Sequence, residues 1–282
     1  MSWQNFSSTQ LNQEYSPSTC VDDITVYLDA YRNDSKQVLE QGLVQRNLVY
    51  ASGPHRLLDY FAATSQGPLV IFIHGGYWQQ LSKEDSCFVA ADLVAQGFHY
   101  AAIDYPLAPG ATISEIIDCC CQAVVWLQQQ SDRLDFDPQR IFLAGSSAGA
   151  HLCSSVLLAA CREQRGLTPE TIAGALLLSG IYDLQPLIHT YINDALQLDK
   201  VSAALLSPAL QELQGLPPCF LCWGENETSE FKRQSQQFSQ LLQASQVVSE
   251  CFEITDRNHF DLVYELGLPD SPLCQALKRL AQ

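Results

Sequence analysis

Residues Gly145-Ser146-Ser147-Ala148-Gly149 follow the pattern Gly-x-Ser-x-Gly. A short apolar run, 141–144, leads straight into them, and an apolar stretch predicted as a helix over 148–162 leads straight out. A strand–turn–helix context of this kind lifts a serine hydroxyl above a sheet edge, where it can act as a nucleophile. The turn forces unusual dihedrals on the nucleophile, so its neighbours must be small. Gly145 and Gly149 remove the side chains that would strike strand and helix. The helix N-terminus behind Ser147 favours developing negative charge. Ser146 occupies the variable position of the pattern, so Ser147 is the candidate. The plainer reading is a Gly/Ser-rich turn without chemistry, and the flanking strand and helix argue against it.

Serine chemistry of this type also needs donors for an oxyanion, a base and an acid. His74-Gly75-Gly76-Tyr77-Trp78 follows the apolar run 69–73. Consecutive glycines let a backbone turn its N–H groups inward. Gly76 and Tyr77, with Ala148 after the nucleophile, are the expected oxyanion donors. Tyr77 and Trp78 are read either as packing or as an aromatic wall for the substrate. His74 is expected to orient the loop rather than act as base.

Of the six histidines, His259 follows the final predicted strand, 247–254, where the base belongs when the order is nucleophile, acid, base. His151 sits one helical turn past Ser147, and His55, His99 and His189 lack a motif. The acid stays open among Glu225, Glu227 and Asp183. The first two follow the predicted strand 220–223, and the third follows the predicted strand 175–178.

The elements around these residues set the fold class. Predicted strands at 69–73, 100–103, 141–144, 175–178, 220–223 and 247–254 alternate with predicted helices at 82–96, 112–130, 148–162, 230–244 and 272–281. Alternation predicts an α/β fold: a mostly parallel central sheet with helices on both faces. Runs 45–50 and 56–62, joined by Ser52-Gly53-Pro54, predict an antiparallel edge. A helix with its lead-in is expected over 21–43, capped by Asp22 or Asp23. Residues 181–216 break the alternation and are expected to form a small cap. The whole chain reads as one domain. Residues 1–45 form an arm that either folds over the pocket mouth or makes a homodimer contact.

Composition narrows the partners. Fifteen Lys and Arg against 31 Asp and Glu give a net charge of −16, which excludes a basic nucleic-acid surface and disfavours anionic membranes. Residues 1–11 lack a signal-like apolar run, and no run approaches the ~18 apolar residues of a membrane span. The eleven cysteines, with Cys119, Cys120 and Cys121 consecutive, are read as reduced thiols in a cytoplasmic protein. Cys219 and Cys222 form a CxxC inside a buried strand, without the second pair a zinc site needs. No cofactor or metal motif is present, so a small-molecule substrate is the expected partner.

Taken together, HGGYW (74–78), GSSAGAH (145–151), SGIYDL (179–184), EFKRQS (230–235) and Tyr15-Ser16-Pro17-Ser18 resemble the kynurenine formamidase (arylformamidase) family. The likeness runs from about Tyr15 to near the C-terminus. HGG and GxSxG are shared with many esterases; HGGYW with SGIYDL and EFKRQS is far more specific. The resemblance implies an α/β-hydrolase that removes the formyl group from N-formylkynurenine. It also selects Glu227 as the acid, at a position where the animal enzymes hold Asp. A carboxylesterase on short acyl esters and a non-catalytic binding module are the competing expectations.

Overall fold

The computed structural model describes residues 3–42, 44–64, 66–158 and 166–282. Eight strands make one sheet: Val44–Val49 (β1), Leu57–Phe61 (β2), Leu69–Ile73 (β3), His99–Ile103 (β4), Ile141–Ser146 (β5), Gly174–Leu178 (β6), Cys219–Asn226 (β7) and Ser249–Asn258 (β8). Their spatial order is β1-β2-β4-β3-β5-β6-β7-β8. β1, β2 and β4 pair antiparallel in sequence along one edge, and every later pairing is parallel.

The main helices are Ser8–Glu14 (α1), Ile24–Glu40 (α2), Ala90–Ala95 (α3), Ile113–Gln129 (α4), Ser131–Leu134 (α5), Ala148–Leu157 (α6), Asn193–Leu196 (α7), Lys200–Leu205 (α8), Ser229–Ala244 (α9) and Pro272–Leu280 (α10). Strand side chains alternate between faces, so the continuous apolar run of β3 feeds two cores. Leu69, Ile71 and Ile73 pack with Ile116 of α4, Leu152 of α6 and Phe238 of α9. Val70 and Phe72 pack on the other face with Tyr31 of α2, Leu93 of α3 and Leu277 of α10.

Local chemistry explains most boundaries. Thr112 and Glu115 form a reciprocal capping box that starts α4. Asp23 accepts the Thr25 N–H at 2.8 Å and starts α2. Three expectations change. Residues 82–96 do not form one helix: a 3-10 turn at Lys83–Asp85 precedes α3. There the buried Lys83 ammonium is drawn to Asp59 of β2 at 3.0 Å, and Ser35 of α2 takes the Cys87 N–H. α1 was not expected, and its own capping box (Ser7, Gln10) starts it. Finally, α6 ends at Leu157; the rest of the expected 148–162 helix from 159 on, like Leu43, lies outside the described residues.

Residues 181–216 form short helical turns, among them α7 and α8, over the C-terminal end of the sheet. Among the described residues no helix is long and apolar enough to cross a membrane.

Candidate active site

Strand register carries the site's parts to one end of the sheet. Ile73 pairs with Gly145, so the loop after β3 and the elbow after β5 leave the sheet side by side. β7 and β8 run on past β6 until Asn226 pairs with Asn258. Glu227 and His259 are the next residues on each strand and therefore emerge as neighbours.

Ser147 stands between β5 and α6 with φ 57° and ψ −121°, a conformation few non-glycine residues adopt. Its N–H donates to the Leu178 carbonyl at 2.8 Å, which ties the elbow to β6. The elbow is so tight that Gly149 rests against β3. A methyl group there would lie 2.0 Å from the Ile73 carbonyl oxygen. Backbone of a central strand cannot yield that distance, so Gly149→Ala is expected to destabilise the fold by more than about 3 kcal/mol. Urea denaturation measures it, and a midpoint equal to wild type would contradict the packing described.

The loop after β3 turns on positive φ at Gly76 (90°), Tyr77 (51°) and Trp78 (60°). Among the described residues, no acceptor takes the N–H of Gly76 or Tyr77. Ala148 is the first residue of α6, where an N–H has no intrahelical partner. Free amides of this kind are what an oxyanion requires. Gly76 carbonyl accepts from Gln79 and Gln80 and closes the turn. His74 Nδ1 lies 3.0 Å from both the Gly75 carbonyl and the Tyr105 hydroxyl, and its ring stacks on Tyr105 at 4.0 Å.

The two aromatic residues of the loop part company. Tyr77 lines the cavity, and its hydroxyl donates to the Tyr15 carbonyl. Trp78 is fully buried, lies outside the cavity lining, and sets its ring edge-on to His151 at 5.1 Å. The expectation of Trp78 as a substrate wall is corrected: positive φ at 77 and again at 78 swings the indole into the core.

His259 and Glu227 form a buried pair, with Nδ1 2.9 Å from Oε2. Glu227 Oε1 accepts from Ser179 Oγ at 2.5 Å and from the Gly224 N–H at 2.6 Å. The other acid candidates are engaged elsewhere. Glu225 accepts the Asp256 N–H at 3.0 Å, and Asp183 closes a turn by accepting the Gln185 N–H at 3.0 Å. The His259 ring packs against Phe231 at 4.4 Å. Sequence reasoning missed Ser179; its signal was a serine directly after β6, facing the acid loop.

Ser147 and His259 line one cavity of about 300 Å³ together with His74, Gly75, Gly76 and Tyr77. The N-terminal arm supplies Pro17, Ser18 and residues of α2 to its wall, and residues 191–192 supply another part. The arm is bonded to both functional loops. Glu14 accepts from Ser229 Oγ and the Glu230 N–H at the start of α9, beside Glu227. Gln234 joins three sequence motifs: its Oε1 accepts the N–H groups of Tyr182 and Asp183, and its Nε2 donates to the Tyr15 hydroxyl.

The remaining histidines and the cysteines fill structural places. His55 pairs with Asp104 at 3.2 Å, His99 meets the Tyr60 hydroxyl at 2.7 Å, and His189 lies near the Trp3 ring. Cys219 and Cys222 are free, and they face opposite cores, so they share no site. Cys121 is disulfide-bonded, which corrects the reading of all eleven cysteines as reduced; nine others are free.

His151 Nε2–H donates to the Leu206 carbonyl at 2.8 Å, and burial pushes its pKa down to about 4. His74 is likewise lowered to about 4 by burial. Each protonates more readily once unfolded, so stability is full above about pH 6.5 and is lost as pH falls toward 4. For His151 the loss is on the order of 3 kcal/mol. His151→Gln is expected to flatten the pH dependence of the urea midpoint between pH 4 and 6.5. An unchanged slope would remove His151 from the account.

A family model described as an alpha/beta hydrolase fold matches residues 70–261. Kynurenine formamidase of Salmo salar is 30% identical over 99% of this chain and 98% of its own length. The chain belongs to the kynurenine formamidase family of α/β-hydrolases. It is a hydrolase. The kynurenine formamidase of Danio rerio, 30% identical, covers 94% of this chain and 93% of itself. A solved structure of a candidate thioesterase from Silicibacter sp. shares the fold with a TM-score of 0.84 at 24% identity, covering 95% of this chain and 99% of that one. Three segments of this chain meet around the cavity: HGGYW carries the free amides, SGIYDL brings Ser179 to Glu227, and EFKRQS brings Gln234 to Tyr15.

Proposed function

We propose that the protein is a serine hydrolase that removes the formyl group from N-formyl-L-kynurenine, giving L-kynurenine and formate. The observation that carries this reading is the buried Glu227–His259 pair at 2.9 Å, on the same cavity as Ser147. With Nδ1–H donated to Glu227, His259 presents a bare Nε2 as base.

Ser147 Oγ attacks the formyl carbonyl while Nε2 takes its proton. The N–H groups of Gly76, Tyr77 and Ala148 receive the oxyanion. The C–N bond then breaks, and the aromatic amine leaves with the proton from His259. An aromatic amine is a better leaving group than an alkyl one. Water, deprotonated by His259, attacks the formyl-enzyme, and Ser147 regains its proton as formate departs. Tyr77 serves as one wall for the aromatic ring, and residues 181–216 serve as a cap. A cytoplasmic setting goes with the nine free thiols; the disulfide at Cys121 points the other way.

Purified protein assayed on N-formylkynurenine and on p-nitrophenyl acetate tests the reading. A kcat/KM higher for the formamide is expected. A large excess for the ester would make the protein a carboxylesterase instead. Failure to label with a fluorophosphonate probe, with neither substrate turned over, would leave a binding module.

A further inference from the structure

The cavity around Ser147 is short of charge. Among its described lining residues there is no lysine or arginine, and the one carboxylate is Asp85. Burial keeps His74 neutral, with a pKa near 4, so it adds no positive charge at pH 7. The catalytic end of the cavity is made by the elbow and the loop after β3. The rest is largely apolar, with Ile24, Leu28 and Tyr31 of α2 and Phe88.

Asp85 is held from the sheet. It ends the 3-10 turn Lys83–Asp85, which Lys83 anchors to Asp59 of β2 at 3.0 Å. Ser82 Oγ donates to Asp85 Oδ2 at 2.9 Å. Its ion-pair partner among the described residues is Arg32, 3.6 Å away on a side chain that is 66% exposed. Arg32 lies outside the lining. The guanidinium is in solvent and 3.6 Å from a carboxylate that is itself mostly buried, too far for a hydrogen bond, so the pair holds weakly and a cation arriving from the cavity can replace Arg32. A carboxylate at the wall of a mostly neutral, apolar cavity favours a cationic group on the ligand and disfavours an anionic one.

We propose that Asp85 binds a protonated amine on the substrate's side chain, and that the cavity selects aryl formamides carrying such an amine without reading a carboxylate beside it. The proposal deepens the formamidase reading and rests on it. It makes Asp85 a specificity-determining residue, apart from the atoms that react.

The experiment compares N-formylkynurenine, its decarboxylated analogue, which keeps the amine, and formanilide, which has neither group. Asp85→Asn preserves the size of the side chain and the bond from Ser82. The ratio of kcat/KM for either amine to that for formanilide is expected to fall about 10- to 100-fold in the variant, mainly through KM. Asp85→Glu, which keeps the charge, is expected to retain most of the ratio. In wild type the decarboxylated analogue is expected to match N-formylkynurenine or exceed it. An unchanged ratio in Asp85→Asn overturns the proposal. A wild-type preference for the amino acid that Arg32→Ala abolishes overturns its second half. If wild type cleaves no formamide but cleaves esters, the formamidase reading fails by itself. Phenyl acetates with and without an aminoalkyl chain then decide the role of Asp85 by the same ratio.

Discussion

Ser147→Ala is expected to lower kcat/KM on N-formylkynurenine by about 10⁴- to 10⁶-fold while the protein stays folded. The side chain is a hydroxyl at the mouth of α6, 7% exposed as a residue, and no part of the packed core depends on its oxygen. What holds the elbow is backbone: the Ser147 N–H to Leu178, and the approach of Gly149 to Ile73. Alanine keeps both. It removes the atom that would form the acyl bond; among the other described lining serines, Ser146 occupies β5 at the variable position of the turn, Ser86 Oγ donates to the Ser82 carbonyl, and Ser18 lies on the arm. Substrate binding and the free amides of Gly76 and Tyr77 would survive, so a small residual rate above water is expected rather than none. Steady-state kinetics with a thermal melt measured beside them gives the answer. Most of the activity retained in a folded variant would end the assignment of Ser147 as nucleophile.

Glu227→Gln is expected to cost about 10³- to 10⁴-fold in kcat with little change in KM. The reasoning is geometric. Oε1 of Glu227 faces two donors, Ser179 Oγ and the Gly224 N–H. In the amide variant the oxygen must stay with those donors, so the NH₂ turns toward His259. Nδ1 of His259 must then accept, its proton moves to Nε2, and the ring presents a donor where a base is needed. The side chain is buried and the two residues are nearly equal in size, so the loss reports tautomer and charge rather than a cavity. Glu227→Asp keeps the charge but shortens the arm. It is expected to cost less than the amide, about 10- to 100-fold, by misplacing the imidazole. The discriminating measurement is the order of the two variants. If the aspartate variant were slower than the glutamine one, reach rather than charge would be the controlling property.

The fold was legible where one local signal dominates. The run 69–73, apolar at every position, became β3 with those bounds, because a strand buried on both faces has no polar position to blur it. The helix after Thr112 was legible from its capping box. The stretch 82–96 was not, because the pull of Asp59 on Lys83 crosses 24 residues and leaves no trace in local periodicity.

By itself the chain's order of residues determined the α/β layering, the elbow around Ser147, the glycine turn at 75–76 and the histidine after the last strand. These are properties of short windows: side-chain alternation, a small-residue turn, an apolar run. Tertiary structure decided the rest. Glu225 and Glu227 share a parity along β7, so alternation cannot separate them; the irregular register between Gly224 and Asn226 and the two donors at Glu227 do. Trp78 was a wall or a packing residue until its backbone turned it inward. Five residues from Pro17 to Tyr31 became part of the cavity because the Pro17–Cys20 turn and α2 line it together with Ser147, more than a hundred residues away in sequence. Contacts of that length depend on how the chain closes on itself, and a linear pattern carries no record of them.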